Sequence, residues 1–331
     1  MNTAAKVFNT AFTEKFNILH PIVCGGMVEV GRAALIGAVA RSGALGFLSA
    51  LTQPTPEDLA TEIARTRDIT DQPFGVNLTI LPTLKPVPYD EYRQVIVESG
   101  IKIVETAGSN PAPHLPAFHA AGIKVIHKAV SVRHAIKAEQ LGVDAVSIDG
   151  FECAGHPGPD DVPGLVLIPA ATRRLTIPVI ASGGIATGAG LIAALALGAD
   201  AVNMGTRFVA TNESSVHDNV KNQIVANSEL DTQLIFREFN NTARVARNAV
   251  SEEIAKVSAN IGTTFDDIAH LASGERGRRE VLHGGNVDGG LWWAGQAQAL
   301  IDEVLPVAQV ISEILADARD LVERTLPGFM R

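Results

Sequence analysis

The residues best suited to chemistry lie in a turn rich in glycine, proline and acidic side chains, SIDGFECAGHPGPDDVPG at residues 147–164, with His156 near its centre. Two further glycine-bearing turns follow, ASGG at residues 181–184 and NMGTRF at residues 203–208. An imidazole changes charge near neutral pH, so His156 could orient a substrate, donate a hydrogen bond or move a proton. Glycine lets backbone N–H groups approach a phosphate closely, and serine and threonine hydroxyls add donors. Together the three turns predict a phosphate-bearing cofactor beside an acid–base or anchoring group.

Other segments place backbone or polar groups where predicted strands end. The two glycines of CGGM, at residues 24–27, would let a flat ring lie on the backbone. Asn77 and Thr79 could address ring heteroatoms, although a loop-capping amide explains Asn77 equally well. Lys128 could stabilise negative charge on a reduced ring, or it could be a solvated lysine at a strand end. Cys153 is a candidate nucleophile, but the sequence offers it no partner base.

The elements that would position these residues alternate regularly. Short runs rich in β-branched residues alternate with helical patterns, which predicts a parallel sheet covered by helices. Eight such units in about 210 residues fit an α/β fold of the closed (β/α)8 TIM-barrel type. An open doubly wound sheet is the alternative, but its usual GxGxxG after strand one is replaced by CGGMVEVG. The strands are predicted at residues 21–27, 44–49, 74–81, 101–106, 124–129, 145–148, 178–182 and 201–205.

The domain organisation follows from where this alternation stops, after Thr211. Residues 213–290 are predicted to form a mainly helical insertion after strand eight. Residues 1–212 and 291–331 then form the barrel domain, with amphipathic C-terminal helices packing back on the barrel. In such barrels ligands bind at the C-terminal strand ends, and phosphates favour the loops after strands seven and eight.

Several residues outside the three turns carry open alternatives. In NTARVARN, Arg244 and Arg247 would lie on one face of a helix, either as surface charge or facing an anionic dinucleotide. Trp292 and Trp293 are predicted to pack the returning helix. The proline-rich loop at residues 81–89 is either a stiff gate over the pocket mouth or an ordered connector.

Composition narrows the class of protein. Hydrophobic residues make up 46% of the chain, enough for a sizeable core, and a net charge of −9 argues against nucleic acid as a partner. Cys24 and Cys153 are the two cysteines, so neither a disulfide framework nor a metal site is predicted. The sequence lacks a signal-peptide pattern and an apolar run of the ~18–20 residues needed to cross a bilayer. We therefore expect a cytoplasmic enzyme acting on small molecules, without membrane insertion, and the choice between monomer and homodimer stays open.

A set of motifs runs along the predicted barrel: CGGMVEVG, LSALTQPTPE, PFGVNLTILP, VETAGSNP, VIHKAVSVRHA, DGFECAGHPG, IASGG and NMGTRF. This set resembles the nitronate monooxygenase (2-nitropropane dioxygenase) family of FMN barrels. Within this family, three motifs look more like the bacterial NADH:quinone reductase branch than the nitronate-oxidising class I branch. They are DGFECAGHPG, LTQPTPE and ARVARN.

The resemblance implies one non-covalent FMN at the C-terminal strand ends. It implies catalytic roles for His156, near the reactive face of the flavin, and for Lys128. The cofactor-binding residues it implies are Gly25, Gly26, Met27, Asn77, Thr79, Lys128, Ala154, Ser182, Gly183, Gly184, Gly205 and Thr206.

The activity that the resemblance favours is an NAD(P)H:quinone reductase working by a ping-pong mechanism through FMN, with NAD(P)H as a transient co-substrate. The first alternative is a nitronate monooxygenase, which oxidises alkyl nitronates with O2. An FMN-type enoyl-thioester reductase shares the barrel and is the third hypothesis.

Overall fold

A computed structural model describes residues 7–80 and 86–330 of the chain. Eight parallel strands pair in chain order, and β1 also pairs with β8, so that the sheet closes into a barrel. The predicted (β/α)8 TIM barrel is therefore confirmed, and the open doubly wound sheet is excluded. The strands are β1 (Ile22–Cys24), β2 (Leu45–Ser49), β3 (Gly75–Ile80), β4 (Ile103–Gly108), β5 (Lys124–Ala129), β6 (Ala145–Asp149), β7 (Val179–Ser182) and β8 (Ala201–Asn203).

Helices cover the outside of the barrel, and their ends carry recognisable signals. The longest of those between the strands begins at Pro56, behind a capping box in which Thr55 and Asp58 satisfy each other's backbone N–H groups. Proline suits the first turn because no intrahelical acceptor is available there. The helices are α1 (Ala11–Phe16), α2 (Ala33–Arg41), α3 (Pro56–Ile69), α4 (Tyr89–Glu98), α5 (Leu115–Ala120), α6 (Val132–Gln140), α7 (Gly164–Thr172) and α8 (Gly188–Ala196).

The N-terminal end of the barrel is filled by apolar side chains. Phe12 and Phe16 of α1 lie with their ring centroids 4.9 Å apart and are almost fully buried. They belong to one cluster with inward-facing strand residues such as Phe47, Ile126 and Ile180. Because this end is closed by packing, the opposite end, where the strands terminate, is the end left for a ligand.

The insertion after β8 is mainly helical and also contains a small sheet. β9 (Thr232–Ile235) and β10 (Ala243–Ala246) pair antiparallel, and they share a separate apolar cluster with the helix that follows them. The helices that follow β8 are α9 (Thr206–Val209), which precedes the insertion, and then α10 (Asp218–Ala226), α11 (Ala249–Ser258), α12 (Phe265–Ile268), α13 (Gly274–Arg276) and a π-helix at Gly277–His283.

The prediction that Arg244 and Arg247 share a helical face is wrong. Arg244 lies within β10, where it is buried, whereas Arg247 follows the strand and is exposed. Residues three apart in a strand face opposite sides, which separates the two guanidinium groups. The strand forms because β10 has partners on β9 and at Gly155, and such tertiary pairing overrides the local pattern.

The chain returns to the barrel through an extended segment and then a long helix, α14 (Val307–Asp320). α14 packs on α8 and α2, and a side chain at Gly188 would collide with its backbone. A π-helix at Leu321–Thr325 and α15 (Leu326–Gly328) follow. Within the ranges that the structure covers, none of the helices has the length and apolar character needed to cross a membrane.

The two tryptophans do not belong to this returning helix, so that prediction is wrong. Both lie in the extended segment that precedes it. Trp292 is buried and donates its indole N–H to the Val287 carbonyl at 3.1 Å, whereas Trp293 is half-exposed. The glycines on either side favour an extended path over a helix, and this path brings Trp293 to the mouth of the barrel.

Candidate active site

A cavity of about 690 Å³ opens at the C-terminal ends of the barrel strands. Its volume lies in the range typical of small-molecule and cofactor sites. The cavity wall brings together every residue predicted for the site except Asn77. The predicted residues on the wall are Gly25, Gly26, Met27, Thr79, Lys128, Ala154, His156, Ser182, Gly183, Gly184, Gly205 and Thr206.

Asn77 lies beneath the floor of the cavity and acts through its neighbours. Its amide donates to Glu105 Oε1 at 2.7 Å, and its carbonyl oxygen accepts from the Thr79 hydroxyl at 2.8 Å. The backbone N–H of Gly26 donates to the same Glu105 oxygen at 3.1 Å. Asn77 therefore fixes the strand ends β3 and β4 against the loop after β1, and it supports Thr79 rather than facing the cavity.

A second set of hydrogen bonds joins the strands on the other side of the floor. The Asn203 side chain accepts from the Gly25 N–H at 2.8 Å and donates to the Ser182 hydroxyl at 3.1 Å. Since the Ser182 oxygen acts here as an acceptor, its own proton stays available for a ligand.

Lys128 lies between two carboxylates and is not the solvated lysine of the alternative hypothesis. Its Nζ is 3.7 Å from Asp149 Oδ1, and its side chain is 20% exposed. Burial alone would lower the pKa of Lys128, but Asp149 and Glu105 outweigh that effect and raise the pKa above its ordinary value. Lys128 therefore stays protonated at the edge of the cavity.

Glu105 and Asp149 were missed by the sequence analysis. Glu105 is buried, and burial raises its pKa, although Lys128 and the N–H groups of Gly26 and Asn77 counteract this. Each acid stands near the end of an otherwise apolar strand, in IVET and in AVSID. A carboxylate in such a strand is rarely buried without a partner, and this signal could have found both.

The loop that carries His156 is held by the insertion. Gly155 and Arg244 form an antiparallel bridge in which the Gly155 N–H donates at 3.0 Å and the Arg244 N–H donates at 2.6 Å. The Arg244 guanidinium donates to the Phe151 carbonyl at 2.9 Å and lies 4.4 Å from the centre of the Phe151 ring. Arg244 thus binds the loop itself, and the prediction that it faces an anionic dinucleotide is not supported.

His156 faces the cavity beside Trp293, with the two ring centroids 5.7 Å apart. The side chain is accessible from the cavity, yet the surrounding walls remove much of its hydration and lower the pKa of His156 below 6.5. The imidazole is therefore mainly neutral at pH 7, and its ring carries one donor and one acceptor.

Cys153 lines the same cavity but does not have the surroundings of a nucleophile. Burial raises the pKa of its thiol, and the charge of Asp149 raises it further. A nucleophilic cysteine needs the opposite shift, toward the thiolate.

Across the described chain, no three His, Cys, Asp or Glu side chains converge as they would around a metal ion.

The turns after β7 and β8 line the cavity, and we call them the oxyanion cradle because free backbone N–H groups can donate to an anion. Gly183 (φ 95°) and Gly184 (φ 76°) adopt left-handed backbone conformations that favour glycine. Within residues 7–80 and 86–330, the N–H groups of Gly183, Gly184 and Gly205 have no hydrogen-bond acceptor. The Thr206 hydroxyl accepts from the Gly295 N–H at 3.0 Å, which ties the cradle to the segment carrying Trp293.

The predicted gate at residues 81–89 stays a prediction, because residues 81–85 lie outside the described ranges. The part of the segment that is described ends in Tyr89, which begins α4 and donates its hydroxyl to the Thr79 carbonyl at 3.2 Å. This contact links the start of α4 to the cavity wall.

Comparison with known proteins gives the family. The nitronate monooxygenase family model matches residues 9–317, so the chain belongs to the nitronate monooxygenase family, which is a family of oxidoreductases.

Individual relatives carry several different names. The (3aS,4S,5R,7aS)-5-hydroxy-7a-methyl-1-oxo-octahydro-1H-indene-4-carboxyl-CoA dehydrogenase of Rhodococcus jostii is 31% identical, over 93% of this chain and 95% of that protein. A probable nitronate monooxygenase of Staphylococcus saprophyticus is 27% identical, over 96% of this chain and 99% of that protein.

Among solved structures, FabK from Thermotoga maritima has a TM-score of 0.89 and is 36% identical, covering 97% of this chain and 99% of that one. A nitroalkane oxidase from Streptomyces ansochromogenes has a TM-score of 0.79 at 26% identity, covering 94% of this chain and 99% of that one.

Proposed function

We propose that the protein is an FMN-dependent NAD(P)H:quinone reductase. The overall reaction converts NAD(P)H, a proton and a quinone into NAD(P)+ and a hydroquinone, so two electrons pass from the nicotinamide to the quinone. FMN, when bound, accepts the two electrons from one substrate and passes them to the next. The protein's own residues hold the cofactor, set the charge around it and present the quinone.

The residues present fit FMN. The free N–H groups of Gly183, Gly184 and Gly205 can donate to three phosphate oxygens, and the Ser182 hydroxyl retains a proton to donate. A Cβ at Gly183 would lie 3.0–3.1 Å from Cys153, and one at Gly26 would collide with Asn77. Packing behind these two positions therefore requires glycine, and both glycines lie on the cavity wall where a phosphate and a flat ring would bind.

The charge at the strand ends suits a ring that gains electrons. Lys128 is held protonated by Asp149 and Glu105, so its Nζ is a fixed positive group on the cavity wall. Such a preorganised charge stabilises negative charge as it develops, without reorganisation of the protein.

The observation that carries the proposal is the pairing of His156 with Trp293 at the open side of the cavity. A quinone is a flat ring with two carbonyl oxygens, so it needs an aromatic wall and a hydrogen-bond donor. Trp293 offers the wall, and His156 donates an N–H to one quinone oxygen. When protonated, His156 donates a proton to that oxygen. Solvent can then reprotonate the imidazole, because the ring is accessible.

Two alternatives have specific support. Nitronate oxidation with O2 is supported by the family match and by the likeness to a nitroalkane oxidase. Reduction of an enoyl thioester is supported by the likeness to FabK and to a dehydrogenase of a CoA ester. In the first case His156 would hold the nitronate, and in the second it would face the thioester-conjugated double bond.

The test is a panel of steady-state assays on the FMN-loaded protein. The pairs are NADH or NADPH with benzoquinone, propyl nitronate with O2, and NADH or NADPH with crotonyl-CoA. We expect kcat/KM for benzoquinone to exceed the other values by at least tenfold. A higher kcat/KM for propyl nitronate or for crotonyl-CoA would overturn the proposal in favour of that activity.

A further inference from the structure

The cavity also has a wall formed by residues of β5 and α6. His127, His134 and Lys137 line this part, which we call the side arm, together with Ser109 and Asn110. We infer that the side arm binds the diphosphate of an ADP-bearing cosubstrate whose reactive end lies beside Lys128 and His156. The inference rests on the proposed function, because NAD(P)H is such a molecule, and it names the site that would hold its adenosine diphosphate.

The distribution of charge favours an anion in the side arm. The lysines on the cavity wall are Lys128 and Lys137, and no arginine lies there among the described residues. Lys128 already faces Asp149 and Glu105. Lys137 has no acidic partner within the described ranges, although the whole chain carries a net charge of −9. Within the cavity, the charge of Lys128 is therefore neutralised by neighbouring acids, whereas the charge of Lys137 in the side arm is not.

The neighbours of Lys137 add hydrogen-bonding capacity suited to phosphate oxygens. His134 stands one helical turn before Lys137, so the two side chains share a face of α6. Arg133 Nη2 lies 3.3 Å from His134 Nε2, and donation to that nitrogen leaves His134 Nδ1–H as a donor. Asn110 uses its carbonyl oxygen to accept from the Ala112 N–H at 3.0 Å, which leaves its NH2 group for a ligand.

His127 is the buried member of the side arm. Its Nδ1 is 2.8 Å from the Thr106 hydroxyl, and within the described chain its Nε2 has no hydrogen-bond partner. Burial, and then the nearby His134, lower the pKa of His127 to about 4, so the ring is neutral at pH 7. His127 lies on the cavity wall, so a ligand or an ordered water in the side arm can bond to this nitrogen.

An ADP-bearing molecule fits these observations better than a lone anion. One cavity connects the side arm to Lys128 and His156, so one extended molecule can occupy both ends. Phosphate oxygens would face Lys137, His134 and Asn110, while the reactive part reaches the redox end. Nicotinamide dinucleotides and coenzyme A both carry a diphosphate linked to adenosine, so the side arm alone does not distinguish them.

The first experiment compares two reductants in Lys137→Gln. NADH carries the diphosphate and the adenosine, whereas reduced nicotinamide riboside carries neither. We expect Lys137→Gln to raise the KM for NADH roughly five- to tenfold, as loss of one charge-assisted contact at an accessible site implies. The KM for the riboside should change less than twofold. The matched control is Lys256→Gln, an exposed helical lysine outside the cavity, which should change neither value. Equal effects on both reductants, or no effect on either, would overturn the inference.

The second experiment measures binding of free ADP and of coenzyme A to the FMN-loaded protein by calorimetry, with and without Lys137→Gln. At least fivefold weaker ADP binding in the variant supports the site. Displacement of ADP by NAD+ but not by coenzyme A identifies the dinucleotide as its source, and the reverse identifies a CoA ester. ADP binding that does not depend on Lys137 refutes the inference. The binding measurement can be interpreted even if the wild-type protein does not oxidise NADH. Failure to oxidise NADH would refute only the proposed quinone reductase activity.

Discussion

The oxyanion cradle and the His156 loop lie at the same end of the barrel, yet they are held in different ways. The cradle is built from backbone groups of two short turns, with Gly183 and Gly184 following β7 directly. The His156 loop depends on contacts with Arg244 of the insertion and with the segment carrying Trp293. Under the proposed function, cofactor binding is therefore encoded locally, whereas the substrate side is assembled from parts of the chain that are far apart in sequence.

This difference suggests a division of roles. The barrel can keep one cradle while the insertion and the returning segment change what the cofactor meets. Relatives that share this fold and carry different names, such as FabK and a nitroalkane oxidase, are consistent with that division. Variants of the two regions should accordingly affect different measurements.

The largest effect is expected for His156→Asn. We expect the rate constant for quinone reduction to fall about a hundredfold, because general acid catalysis and orientation contribute about that much or more. The affinity for FMN, measured by fluorescence titration, should change less than threefold, since the cradle is untouched. A variant with unchanged quinone reduction would remove His156 from the mechanism.

The next effect is expected for Arg244→Gln, with Arg247→Gln, one residue past the end of β10, as the matched control. Arg244 is buried and donates twice to the Phe151 carbonyl, so its loss should displace the His156 loop. We expect kcat with benzoquinone to fall roughly tenfold to thirtyfold, as for a lost buried charge-assisted pair of hydrogen bonds. Arg247 is exposed, and its variant should stay within twofold.

Arg244→Lys separates positioning from simple folding. Lysine keeps the charge but cannot make both bonds of the guanidinium fork or stack equally well on Phe151. If Arg244 positions the loop, kcat should fall in this variant while the thermal midpoint and the FMN affinity stay close to wild type. Full activity in both Arg244 variants would contradict the idea that contacts with the insertion position the His156 loop.

A smaller and complementary effect is expected for Gly183→Ala. Alanine at φ 95° is strained, and its Cβ would lie 3.0–3.1 Å from Cys153. Strain of about 1–3 kcal/mol implies roughly tenfold weaker FMN binding. Once FMN is saturating, quinone reduction should stay near wild type. Gly205→Ala, whose Cβ would meet only Met27 Sδ at 3.5 Å, should weaken FMN binding less. Equal losses in the two variants would argue against the steric account.

The smallest effect is the pH dependence of quinone reduction. The surrounding walls lower the pKa of His156 below 6.5, so the protonated fraction grows only as the pH falls through that lowered value. Because the neutral ring already donates an N–H to the quinone oxygen, the imidazolium adds to a rate constant that is substantial at pH 8, and the rise between pH 8 and pH 5.5 should stay below tenfold. In His156→Gln the profile should be flat over the same range. A profile that rises identically in the variant would assign the pH dependence to another group.

The sequence predicts the features that depend on local pattern. Alternation of short apolar runs with helical stretches gives the barrel, and glycine turns after two strands give the cradle. His156 stands out in the sequence because the glycine and proline around it mark a loop at a strand end. These features can be predicted from the sequence because each depends on a pattern within about ten consecutive residues.

Features that depend on distant contacts could not be predicted in the same way. ARVA reads as helix or strand until its partners on β9 and at Gly155 are known. Trp293 reaches His156 only because an extended segment crosses the barrel mouth. Asn77 has the expected polar side chain, but only the register of β3 against β4 shows that it faces Glu105.

The most direct test of the account is a single-turnover experiment under anaerobic conditions, in which flavin absorbance is followed by stopped flow. NADH should bleach the flavin of the FMN-loaded protein, and benzoquinone added next should restore the absorbance with one hydroquinone formed for each NADH oxidised. His156→Asn should slow the second step and leave the bleaching step nearly unchanged. A flavin that NADH leaves oxidised, but that propyl nitronate bleaches, would contradict the central claim.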